Sequence, residues 1–186
     1  MKISELCDLN SGFQGKLTPG EDYKIIKLKD LSKDGVINYE DLEGFNSNKV
    51  NDKYLLKKND IILKAKSGDN TAALIREEVK NVVAASHFIV IKVKDPKILN
   101  PEYLVAYLNS EYAKHYFKKN AEGSTLPILK IKNLEGLDIK DLSMDKQLEV
   151  SKIYNLIKEE KLVMEMLIEN REKQFKAYLR NLLEEE

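Results

Sequence analysis

The chain has 186 residues, 42% apolar and 33% charged, so it can bury a core and is not disordered by composition. Its 31 basic residues equal its 31 acidic ones, which excludes a histone-like polycation but leaves room for a locally basic face. One cysteine excludes an internal disulfide framework and a multi-cysteine zinc site, and two histidines are too few for a His-rich metal centre.

No apolar run approaches the roughly 18–20 residues of a membrane span. The polar start, Met1 to Glu5, is unlike a signal peptide. With its lone thiol, the chain is expected in a reducing cytoplasm, away from membranes. Only three basic residues are arginine, so phosphate contacts would rest on lysine point charges rather than bidentate forks.

The first hundred or so residues read as short strands and turns. Tyr23–Leu31 alternates like a strand, with β-branched Ile25 and Ile26. Lys33-Asp34-Gly35 is a turn whose glycine can take positive φ. Asn59-Asp60 opens Ile61-Ile62-Leu63, a run suited to a buried strand, and residues 64–70 (KAKSGDN) form a polar loop hinged at Gly68. His87–Val93 is dense in β-branched and aromatic residues and reads as a strand.

Asn100-Pro101-Glu102 has the N-cap, first-turn proline and acidic residue of a helix start, and the helix is expected to run to about Lys119. Gly123-Ser124-Thr125 is a break, followed by short elements over residues 126–140. From Ser143 to Leu183 there is neither glycine nor proline, and apolar residues recur at helical spacing. The register 157, 161, 164, 168, 171, 175, 178, 182 steps alternately by four and three, interrupted by Lys161 and Arg171. A helix of that length measures about 60 Å and needs another helix to cover its stripe. The reading is therefore α+β: a β-rich domain over 1–142 and a long pairing helix over 143–186. Its seam is Ile157, Met164, Ile168, Phe175, Tyr178 and Leu182.

Catalytic constellations are weak. Asn100-Pro101-Glu102-Tyr103 approaches the Asn-Pro-Pro-Tyr signature of adenine methyltransferases, but lacks its second proline and any glycine-rich cofactor turn. Asp69 with Glu78 and Lys80 could be a metal-nuclease pattern, yet Glu159-Glu160-Lys161 repeats the Glu-x-Lys spacing inside the long helix. Cys7 with His87 or His115 lacks an orienting partner, and no P-loop exists. No catalytic residue, metal ligand or cofactor is expected.

Residues 57–132 hold 14 basic and 8 acidic side chains. Within them, Lys64 and Lys66 can contact phosphate while Ser67, Asp69 and Asn70, flanking Gly68, offer groups to base edges. A second such place is Lys118-Lys119, continuing through Gly123, Ser124 and Thr125 to Lys130. Ordinary solvated loops remain the plain alternative.

The order of segments resembles the specificity (S) subunit of Type I restriction-modification systems. The start Ile3–Phe13 resembles the opening of that family's target recognition domain. Tyr54–Leu63 resembles its strand lead-in, with Asn59 where glycine is usual. Asn100–Leu104 with Tyr107–Ser110, then Glu122–Thr125 with Ile131–Leu134, are similar to the segments that follow. Gln147 through Leu183 resembles the spacer helix, although Leu142-Ser143-Met144 replaces a proline-rich lead-in.

The resemblance implies sequence-specific recognition of double-stranded DNA by a non-catalytic subunit. It implies a half-length form, with one recognition domain and one spacer helix, which would pair with itself as an antiparallel coiled coil. Such a homodimer reads an interrupted palindrome. The implied partners are an adenine methyltransferase (M) subunit, which binds S-adenosylmethionine, and a restriction/translocase (R) subunit. Two other classes stay open: a protein-interaction module with a coiled-coil arm, and a stand-alone metal nuclease.

Overall fold

A strand such as Ile61-Ile62-Leu63, apolar on both faces, needs cover on both sides. The computed structural model describes residues 1–123 and 127–184 and supplies that cover. Strand β4 (Ile61–Lys64) lies between β7 (Phe88–Val93) and β5 (Ala72–Leu74) in an antiparallel sheet of order β1-β7-β4-β5, with β1 (Cys7–Ser11) at one edge. A second sheet has the order β3-β2-β6, where β2 (Thr18–Ile26) runs antiparallel to β3 (Glu43–Asn46) and parallel to β6 (Val82–Ala84). Ile62, Ala73 and Val90 join Phe13, Ile25, Ile26 and Phe45 in one buried cluster. The alternate residues Ile61, Leu63 and Ile91 are also fully buried, and α2 (Pro101–Leu108) packs along β5.

The α+β reading holds, and α5 (Met144–Glu184) is a 41-residue helix. Contacts divide the chain into two units, Met1–Leu148 and Glu149–Glu186. Within the first unit, the chain start is tied to the segment ahead of α5. Ile3 N–H donates to Leu137 O at 2.9 Å, Ile139 N–H to Met1 O at 2.8 Å, and Lys2 pairs with Asp138 at 2.7 Å. Helix α1 is Ile3–Leu6 and α4 is Ile131–Leu134. Gln147 is buried in the first turn of α5, accepting from Asn100 N–H at 2.8 Å and donating to Ile98 O at 3.0 Å and Leu142 O at 2.9 Å.

Two local readings change. The strand over 23–31 ends at Ile26, because the buried Asp30 carboxylate accepts from Lys27 N–H at 2.8 Å and closes a 3-10 turn over Leu28–Asp30. Asn59 stands at φ 71°, a left-handed position that asparagine tolerates better than most residues. The single helix expected over 100–119 is two, α2 and α3 (Glu111–Asn120). Asn109 breaks it by turning its amide onto β5. Its Oδ1 accepts from Ala72 N–H at 3.0 Å and its Nδ2 donates to Ala72 O at 2.9 Å. Ser110 then caps α3.

This side chain serves both backbone groups of a buried residue. Asn109→Ala should therefore lower the unfolding free energy by about 1–3 kcal/mol, measured by urea titration; an unchanged midpoint would deny the clamp its role.

Candidate nucleic-acid interface

The loop after β4 is built from its own polar groups. Lys64 is only 6% exposed, and its Nζ lies 3.2 Å from Asp69 Oδ2. Ser67 Oγ donates to the other Asp69 oxygen at 2.6 Å, and Asn70 Nδ2 donates to Lys64 O at 2.8 Å. Partial burial acts to raise the Asp69 pKa, but the hydrogen bonds from Ser67 and Lys64 outweigh it and hold the carboxyl below its ordinary value. The left-handed residue of the loop is Asn70, at φ 43°, not Gly68, where an added Cβ would meet open space. Two residues expected at the ligand, Lys64 and Asn70, are thus buried and spent inside the loop. Lys66, Ser67 and Gly68 form its outer turn.

A residue that sequence reading did not single out supports this loop from beneath. Lys114, on α3, donates to the carbonyl oxygens of Asp69 and Asn70, the latter at 2.7 Å. Burial, helped by the Lys64 charge, pulls its pKa down to about 8 against the pull of Asp69 and Glu111. Nothing in the local sequence marks it, since its partners lie 44 and 45 residues away.

The second loop rises from α3. Lys118 and Lys119 are exposed in its last turn. Glu122 and Ile128 exchange backbone hydrogen bonds at 2.9 and 2.8 Å, and Gly123 takes φ 100°, open to glycine at little cost. Lys130 pairs with Glu122 at 2.5 Å on the surface. Ser124 and Thr125 lie outside the described residues. The fold brings the roots of the two loops together: Leu129 N–H donates to Ala65 O at 2.8 Å, and Ala65 N–H donates to His87 O at 2.8 Å.

The enzymatic alternatives gain nothing from this geometry. Asn100 is a helix cap, its Oδ1 accepting from Tyr103 N–H at 3.0 Å. Cys7 is 2% exposed and burial pushes its thiol up to about 12, far from a reactive thiolate. Among the described residues, no cluster of His, Cys, Asp or Glu could hold a metal ion, and no helix is long and apolar enough to cross a membrane.

Residues 23–139 match the family described as the TaqI-like C-terminal specificity domain. The chain belongs to that family. The structure is also similar to the S subunit of the Type I restriction-modification system of M. genitalium, with a TM-score of 0.63 at 20% identity over 93% of this chain. It is similar to the HsdS subunit of Thermoanaerobacter tengcongensis, with 0.66 at 13% over 93%. A structure described as showing complex assembly and conformational transition of the type I R-M system gives 0.67 at 12% over 95%. At these identities the likeness is one of fold, and its coverage reaches into α5. The chain spans 42–45% of the length of those chains. No curated protein matches it.

Lys114 makes a pH signature. Between about pH 8 and its ordinary 10.5, the unfolded chain keeps a proton that the folded specificity domain has released. This group's contribution to stability therefore rises with pH through that window. Urea unfolding at pH 7.5 and pH 10 should show wild type gaining on Lys114→Met as pH rises; parallel curves would count against the burial of a charged amine.

Proposed function

We propose that the chain recognises duplex DNA as a specificity half-subunit, two copies pairing through α5 to present identical domains to an interrupted palindrome. The observation that carries the reading is the joining of a specificity domain to a 41-residue helix with an exposed apolar seam. Ile157, Met164, Ile168, Phe175, Tyr178 and Leu182 are each close to half exposed or more, Phe175 at 61%. Isolated charges interrupt this stripe, as in a helix that pairs rather than one that enters a core. Burying it antiparallel against a copy generates the two-fold axis that a palindromic site requires.

In this reading Lys66, Lys118 and Lys119 contact phosphate, and Ser67 with the segment at Gly123 faces base edges. Lys64, Asp69, Asn70 and Lys114 set the shape of the first loop. Lys130, tied to Glu122, steadies the second. The chain supplies address rather than chemistry: methylation falls to an adenine methyltransferase (M) partner using S-adenosylmethionine, and cleavage to a restriction/translocase (R) partner, in the cytoplasm where the DNA lies. The Cys7 thiol is buried and the Asn100 side chain is committed to capping α2.

Fluorescence anisotropy on duplexes over a salt series tests recognition. Lys66→Ala should weaken binding to all duplexes alike and reduce the salt slope by about one. A chain that binds no duplex would favour a protein-interaction module, and magnesium-dependent cleavage by the chain alone would favour a nuclease. Pairing is tested separately. Each large seam residue contributes about 1.5–3 kcal/mol when buried, so Met164→Asp with Ile168→Asp should give monomers by light scattering. Dimers that persist would place the interface elsewhere.

A further inference from the structure

Gly12 permits a close approach that no other residue allows. A Cβ there would lie 2.0 Å from the carbonyl oxygen of Ala85 and 2.7 Å from that of Ala84. The chain passes because glycine has none. Phe13 then bridges Ala85 in parallel, its N–H donating to Ala84 O at 2.7 Å. The turn that follows, from Gln14 to Leu17, is laid beside Ser86 and His87. The carbonyl of His87 in turn accepts from Ala65 N–H at 2.8 Å and Lys66 N–H at 3.3 Å. This turn and the loop after β4 therefore share one mounting, although about 50 residues separate them.

Beside the Gln14–Leu17 turn lies a groove of about 450 Å³. Its floor is apolar, formed by Phe13, Ile25 and Leu28, and its rim carries Gln14, Ser86, His87 and Lys29. Gln14, Lys29 and His87 are exposed. Among the described residues the side chains of Gln14, Ser86 and His87 have no hydrogen-bond partner. A rim of unspent amide, hydroxyl and imidazole over an apolar floor, with His87 also anchoring the backbone of the Lys66 loop, fits the edge of a base pair rather than the phosphate chain. Phosphate would call for cations or backbone N–H groups throughout.

We propose that this groove reads an A·T pair of the target. The Gln14 amide hydrogen-bonds adenine N6 and N7, and the apolar floor takes the thymine 5-methyl group, the two features that distinguish this pair in the major groove. His87 hydrogen-bonds the neighbouring pair, and Lys29 meets phosphate at the groove's edge. The inference rests on the DNA-recognition reading above and adds a third reading element to its two loops.

The test is selection of binding sites from a random duplex pool by the full-length chain, by Lys66→Ala and by Gln14→Ala. Gln14 is exposed, so the variant should keep the wild-type melting temperature. Wild type should enrich a site containing an A·T pair whose discrimination Gln14→Ala lowers about 5–150-fold, other positions being kept. Deoxyuridine in place of that thymine should weaken wild-type binding several-fold. If Gln14→Ala enriches the wild-type site with unchanged discrimination while Lys66→Ala loses affinity, the groove does not read the A·T pair and the reading of the Lys66 loop stands. If wild type binds no duplex, both fall.

Discussion

The backbone of Ala65 is the point on which the proposed recognition face depends. This residue is 5% exposed, so neither of its peptide groups can turn to water. Its N–H is satisfied by His87 and its carbonyl by Leu129. Through the first bond the loop after β4 is held to the turn before β7; through the second it is held to the segment after α3. Three stretches distant in sequence are thereby fixed to one another by main-chain hydrogen bonds. Side chains add to this mounting, since Lys64, Asn70 and Lys114 bond within or beneath the loop, while among the described residues the side chain of Lys66 takes no part in it.

How much of this could be read from the sequence depended on how local each cause is. Ile61–Leu63 and the strand from Phe88 carry their apolar patterns within a few residues, and Asn100-Pro101-Glu102 carries its own cap, so these were legible. β5 and β6 are three residues each, too short for any pattern, and exist because β4 and β2 offer them edges. The break at Asn109 was hidden for the same reason: asparagine ends this helix because Ala72 awaits its amide. The loop at 64–70 was located correctly as a polar segment, but its lysines could not be sorted. Lys64 is the last residue of β4 and turns inward to Asp69, whereas Lys66 lies past the strand's end on the outer turn, so the alternation that orients the strand no longer governs it.

That sorting limits what a lysine count means here. Of the basic residues in the positive central stretch, Lys64 is buried against Asp69, Lys92 reaches Asp60 at 3.3 Å, Lys114 is committed to two carbonyls, and Arg76 meets Glu102 at 2.9 Å. Each shapes the domain instead of facing solvent as a free charge. The excess of cations over acids in that stretch therefore overstates the positive field available to a ligand. What remains on the loops, chiefly the half-buried Lys66 and the exposed Lys118 and Lys119, is a small number of point charges.

A face with so few free cations has a consequence for the proposed assembly. Each phosphate neutralised adds a modest, salt-sensitive increment to affinity, so a single domain with about three such contacts would hold DNA weakly. Joining two domains through one helix pair makes the second engagement intramolecular, which can raise overall affinity by about 10²–10⁴-fold without any new contact. It does so only when both half-sites are present at the spacing the helices impose. Pairing and recognition are then thermodynamically linked: DNA with two correctly spaced half-sites stabilises the dimer as much as the dimer stabilises the complex. A weak domain on a long helix is in this sense better suited to selectivity than a strong one, because a domain that bound tightly alone would occupy half-sites wherever they occur.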